Sequence, residues 1–245
     1  AVLALNATVA EQLNLFREEV DALIANGEAK ERALFTVIKR YLKECRDIRF
    51  DGNGYSEEWQ QEAERRGLDT ETSVPVMIDQ YLKEDSVRMF GSTGVLNRAE
   101  LLARSEVKWE NYSMKLQIES RVLGDLVINH ILPAAKRYQN VLLQKVLGMK
   151  QVFCENEATA FNEQDLQLIR RIENHTGAIV AMVEEMNRER AYANHIDNQR
   201  ERAITFHDKV VPLMENIRGR VDDLEMVIDD QLWPLPKYRE LLFIH

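Results

Sequence analysis

The side chains with the most chemistry in this sequence are five histidines, two cysteines and a large stock of carboxylates, so a metal centre is the first possibility to test. In a helical protein rich in carboxylates, a di-metal site needs Glu-x-x-His pairs projecting inward from one helix face. The residues three before His130, His175, His195, His207 and His245 are Val127, Ile172, Tyr192, Ile204 and Leu242, so no such pair exists. There is also no HExxH, CxxC, phosphate-binding P-loop, GxSxG or GxGxxG. The residues therefore assign no catalytic, cofactor-binding or metal-ligating position. Cys45 and Cys154 are too few for a disulfide framework or a four-thiolate zinc site, and point to a reducing compartment, with the cytoplasm as the expected location.

Three further features could carry function, each with a plainer reading beside it. His207 falls on an apolar seam, where a hydrogen-bonded structural histidine is preferred over a switch or ligand. Arg190 falls on a second seam, where one buried acidic partner would let it fix helix register. The run from Asp47 to Tyr55 mixes Arg49, aromatic residues, carboxylates and two glycines. It reads either as a small-molecule loop or as a structured corner whose Arg49 pairs with Asp47 or Asp51, and the corner is preferred.

The elements that must position these residues are helices. Val9, Leu13, Phe16, Val20 and Leu23/Ile24 recur at three and four residues up to Asn26-Gly27, predicting one amphipathic helix. Leu34, Val37/Ile38, Tyr41, Leu42 and Cys45 predict a second, antiparallel to the first. After the break at 47–54, Ser56 should cap a short helix ending at Gly67, and Pro75 should sit in the first turn of another. Gly91-Ser92-Thr93-Gly94 is a second break. Asn97-x-x-Glu100 is a capping box with Asn in the usual Ser/Thr position. A very long helix should follow it to about Phe153, kinked near Pro133 where the ring meets the Asn129 carbonyl. Ile169, Ile172, Thr176, Ile179, Val183, Met186, Arg190 and Ala193 form one seam. Ile204, His207, Val211, Met214, Ile217, Val221, Leu224, Ile228 and Leu232 form the next, kinked at Pro212.

Composition agrees. Only 10 Gly and 5 Pro in 245 residues, with 45% hydrophobic residues, belong to a helix-rich chain able to bury a sizeable core. The formal charge of −9 argues against a nucleic-acid partner, and the excess of 9 basic over 6 acidic residues in 97–155 is too dilute to reverse that. No window approaches the length of a membrane span. The apolar start AVLALNATVA reads as the edge of a longer chain, since it needs something to pack against. The expected architecture is all-α: a helical hairpin (1–46), a short-helix segment (47–96) and a long antiparallel coiled-coil-like bundle with a terminal helix (97–245). In that last helix, Lys237 to Phe243, the residues Tyr238, Leu241, Leu242 and Phe243 are expected to form an apolar face that folds back.

GYSEEWQQEAERRGL (54–68), VLNRAELLARSEVKWENY (95–112), IESRVLGDLVINHILPAAKRYQN (118–140) and LWPLPKYRELLF (232–243) resemble, in order, segments of the C-terminal helical region of type III glutamine synthetases. ALNATVAEQL (4–13) resembles the helix that follows that family's catalytic core. The resemblance covers nearly the whole chain. It implies a parent that joins glutamate and ammonia using ATP, with Mg2+ or Mn2+, in a cytoplasmic homo-oligomer of stacked hexameric rings. It also implies that the family's catalytic motifs lie upstream, because no residue here matches them, and that this fragment is structural and inactive alone, adjoining the upstream catalytic domain. A free-standing helical adaptor for a protein partner and a regulatory docking module of the synthetase are the alternatives.

Overall fold

The computed structural model describes residues 2–237 together with Glu240 and Leu242. Among the described residues there is no strand, and the chain divides into two compact units between Lys108 and Trp109. The helices are α1 (Val2–Ala25), α2 (Lys30–Glu44), α3 (Glu57–Arg65), α4 (Val74–Ile78), α5 (Glu84–Ser92), α6 (Arg98–Leu126), α7 (Leu132–Val152), α8 (Glu155–Asn194), α9 (Gln199–Thr205) and α10 (Val211–Glu225). The unit boundary lies inside α6, so the breaks at 47–56 and 93–97 fall within the first unit.

In the first unit, α1 and α2 form a hairpin closed at Gly27, whose φ of 95° is open to a residue without Cβ. The Gly27 amide donates to Ile24 O at 2.9 Å and that of Glu28 to Leu23 O at 3.1 Å, satisfying carbonyls at the end of α1. Val20, Ala33 and Val37 are buried between the helices, with Phe16, Leu23, Leu34 and Tyr41 half-buried around them. A second small core joins Ala7 to Phe90, Leu96 and Leu101. The predicted caps are present. Ser56 Oγ accepts from the Trp59 amide at 3.2 Å. Asn97 Oδ1 accepts from the Glu100 amide at 3.0 Å while Glu100 Oε2 accepts from the Asn97 amide at 2.8 Å.

The hairpin stripe requires correction. Val9 and Leu13, expected on the buried face, are 51% and 63% exposed, and Ile38, Leu42 and Cys45 are also exposed. Of the expected stripe, Val20 and Val37 are buried with Ala33 at the helix contact, and Phe16, Leu23, Leu34 and Tyr41 pack around them, so the buried face is narrower than the periodicity suggests.

In the second unit, α8 is the central helix. Ile172, Thr176, Ile179, Val183, Met186 and Ala193 are buried as the seam predicts. Against it, α7 runs antiparallel. Lys145 pairs with Asp165 at 2.7 Å, and Gln139 donates to Glu173 at 3.0 Å, so residue numbers rise on one helix as they fall on the other. α10 packs on α8 through Ile217, Val221 and Leu224.

Each predicted proline kink takes the form of one widened, π-helical turn. Val127–Ile131 precedes Pro133 and Phe206–Val210 precedes Pro212. The Leu132 amide donates to Val127 O, and the Val211 amide to Phe206 O, five residues back in each case. Proline offers no amide to the carbonyl four residues earlier and its ring crowds that carbonyl, and the wider turn relieves both. The extra residue rotates everything upstream by about 100°. That rotation corrects the second seam: Ala203, Phe206 and Val210 are the buried residues in place of Ile204, His207 and Val211.

The chain after α10 turns back. Ile228 and Trp233 are buried in the same core, with Leu232 and Leu235 half-buried against it. Lys237 Nζ donates to Glu225 O at 3.0 Å and pairs with Asp230. Of the expected terminal apolar face, Tyr238, Leu241 and Phe243 lie outside the described residues, and Leu242 is exposed.

Candidate functional site

The corner joining α2 to α3 brings charged side chains from both ends of the loop together. Asn53 Oδ1 accepts from the Tyr55 amide at 3.1 Å, and Ser56 Oγ donates to Asn53 O at 3.0 Å, which turns the chain into α3. Phe50 stacks on Trp59 with ring centroids 4.3 Å apart and planes 22° apart. A Cβ at Gly52 would lie 2.5 Å from the Phe50 ring, so a side chain there would have to shift that ring on Trp59.

The pairing expected within the loop is not what holds it. Arg49 does not bridge to Asp47 or Asp51. Instead Arg66, from the end of α3, donates through NH1 to Asp47 O at 3.0 Å and Arg49 O at 2.9 Å. Its Nε donates to Glu62 at 2.6 Å, and its guanidinium lies 5.4 Å from the Trp59 ring centroid. Glu62 also accepts two hydrogen bonds from Arg65 at 2.6 Å. Arg65 first, then Arg66, hold the Glu62 carboxyl well below the usual range, at about 2. The sequence reading missed Arg66; its distance of nineteen residues from Asp47 gives no local signal.

Arg46, Asp47, Arg49, Asp51, Arg65 and Arg66 line an open cleft of about 760 Å³ on this corner. It adjoins an apolar groove of about 640 Å³ over α2, formed by Phe35, Ile38 and Leu42 with Lys39 and Lys43 at its edge, and Arg46 and Arg49 line both. This is a basic, partly apolar surface rather than a pocket closed to water.

The other candidates stand apart from it. His207 is half-buried with Nδ1 2.8 Å from Asp208 Oδ1, a local partner on the flank of the π turn and not a seam position. Arg190 does lie on its seam, but among the described residues it has no acidic partner. Its NH1 is buried without a hydrogen bond, and burial first, then the neighbouring Arg121, lower its pKa. It therefore does not fix register through an ion pair. Cys45 and Cys154 are both exposed and unpaired with one another, and Cys154 Sγ donates to Glu157 at 3.1 Å. Among the described residues no three His, Cys, Asp or Glu side chains converge, and no helix is long and apolar enough to cross a membrane.

Fold and surface together define an all-α region whose ordered contacts are interhelical packing and whose polar features lie on an open face. Residues 33–150 match the family described as glutamine synthetase C-terminal domain. It is 46% identical over 243 residues to a glutamine synthetase of Bacteroides fragilis (strain YCH46), covering 99% of this chain and 33% of that protein. It is 26% identical over 242 residues to the type-3 glutamine synthetase of Dictyostelium discoideum, with the same coverage of each. A glutamine synthetase of Butyrivibrio fibrisolvens is 22% identical over 218 residues, 89% of this chain and 31% of that protein. The chain thus spans about a third of the length of the curated relatives it matches.

Proposed function

We propose that this chain is the structural, assembly-supporting helical part of a type III glutamine synthetase. The observation that carries the reading is the 46% identity sustained over 243 residues. In this reading the parent joins glutamate and ammonia using ATP, in a cytoplasmic homo-oligomer of stacked hexameric rings, and the catalytic domain is supplied by the rest of the parental chain. ATP and its Mg2+ or Mn2+ belong to that domain. Among the described residues no three His, Cys, Asp or Glu side chains are placed to hold a metal ion.

The outward apolar face of α1 supports an attachment role. Leu5, Val9 and Leu13 are exposed along one side of a helix, which suits a surface covered by another part of the parent. The region alone is expected to form no γ-glutamyl hydroxamate, since in this reading the groups that hold nucleotide and γ-phosphate belong to the rest of the parental chain.

The test compares the full-length parent with one lacking residues 97–245, by the number of copies in the native assembly and by glutamine synthesis. A smaller number of copies, with the isolated region inactive, is expected. An unchanged number of copies refutes the assembly role, and an independent start codon at residue 1 favours the adaptor reading.

A further inference from the structure

The first unit presents a basic face with an apolar floor, and the second presents its chemical complement. Between residues 151 and 165 the sequence contains Glu155, Glu157, Glu163 and Asp165 and no lysine or arginine. Here α7 turns into α8, and the aromatic pair Phe153 and Phe161 meets edge to face at 5.2 Å between ring centroids. Phe161 is 53% exposed, and Val152, next to Phe153 in the chain, is 75% exposed. Asp165 is engaged by Lys145, which leaves Glu155, Glu157 and Glu163 as the exposed acids around the aromatic pair.

On the first unit, Phe35 is 66% exposed and Leu42 is 54% exposed, along the α2 face that carries Lys39 and Lys43. The face ends at Arg46 and Arg49, neither of which forms a side-chain ion pair among the described residues. A groove of about 640 Å³ can receive aromatic rings, and a cationic margin at its end can receive carboxylates. Both patches place large apolar side chains in water, an arrangement typical of a surface that is covered in an assembly.

We infer that the acidic aromatic tip between α7 and α8 of one copy of this chain docks into the basic apolar groove of α2 in a second copy. The contact joins two different patches, so it is heterologous. The apolar groups supply the burial, and the opposite charges select the partner patch and its register. This inference rests on the assembly role proposed above.

Charge reversal tests it in the natural full-length chain. One variant carries Lys43→Glu and Arg46→Glu, the other Glu157→Lys and Glu163→Lys, and circular dichroism confirms that each is folded. Each alone should weaken self-association by roughly tenfold or more and appear at a smaller native mass. Co-expression of the two should restore the native mass, because reversed groove then meets reversed tip while the unreversed pair also meets. Unchanged mass in either single variant, or failure of the mixture to restore it, overturns the contact. If removal of residues 97–245 lowers the number of copies in the assembly while the reversals do not, this contact alone is wrong; if removal also leaves the number of copies unchanged, the assembly role fails with it.

Discussion

The α1–α2 hairpin and the α8–α10 seam are built from the same three-four spacing of apolar residues, yet they use it in opposite ways. On α8 the large residues Ile172, Ile179 and Met186 are wholly buried within their own unit. On the hairpin the inter-helix contact is made by Ala33, Val37 and Val20, while Leu13, Phe35 and Leu42 face outward. Periodicity marks a face that prefers to leave water, but it does not say which neighbour removes it. The seam is satisfied by the fold. The hairpin leaves Leu13, Phe35 and Leu42 in water.

The largest expected effect follows from that contrast. Truncating Ile179 to Ala removes a fully buried side chain and leaves a cavity, at a cost of about 3 kcal/mol in urea unfolding. Leu13→Ala or Phe35→Ala in the same measurement should change stability by less than about 0.5 kcal/mol. Equal losses at the two sites would show that the hairpin face is covered within this chain.

Trp233→Ala comes next. The indole is buried in the second unit's core, and its loss should cost close to the Ile179 value, about 3 kcal/mol. A null result would mean that the returning segment is only draped over the bundle. Asn97→Ala is smaller, at about 1 kcal/mol, because it removes one half of the reciprocal cap at the start of α6. A loss much below that would mean that solvent satisfies the same amides equally well.

What was legible in the sequence follows the same division. Caps at Ser56 and Asn97 depend on residues within three positions of each other, and both formed. The α8 seam was readable because no proline interrupts it. The seam before Pro212 was displaced by one residue, since a π turn adds a residue to the helix and no local pattern announces whether a proline will kink or widen it. At the arginine corner the loop composition was visible, but Arg66 was not. Its role depends on the end of α3 returning to carbonyls nineteen residues earlier. Arg190 was placed on the correct face, but the sequence suggested a carboxylate where the structure supplies Arg121.

The smallest expected effect concerns His175, a residue the sequence offered only as a failed metal ligand. Its Nδ1 is buried without a hydrogen bond and lies 3.9 Å from Asp223 Oδ2. Burial is the first cause of its lowered pKa. The Asp223 carboxylate pulls the other way, but Arg220 and Arg171 side with burial and the net direction is down from 6.5. The folded state therefore binds fewer protons than the unfolded state in the window just below 6.5, so unfolding takes up protons there. The neutral ring contributes stability that is fully present above pH 6.5 and declines as the pH falls through the lowered folded value. Urea midpoints compared between about pH 8 and about pH 5 should fall further for the native chain than for His175→Leu, whose side chain has no proton to gain. Asp223→Asn removes the group that favours the protonated ring, so its midpoint should fall more steeply than that of the native chain over the same interval. If His175→Leu and the native chain lose stability in parallel, this histidine is not held neutral by its surroundings, and the acid sensitivity of the second unit originates elsewhere.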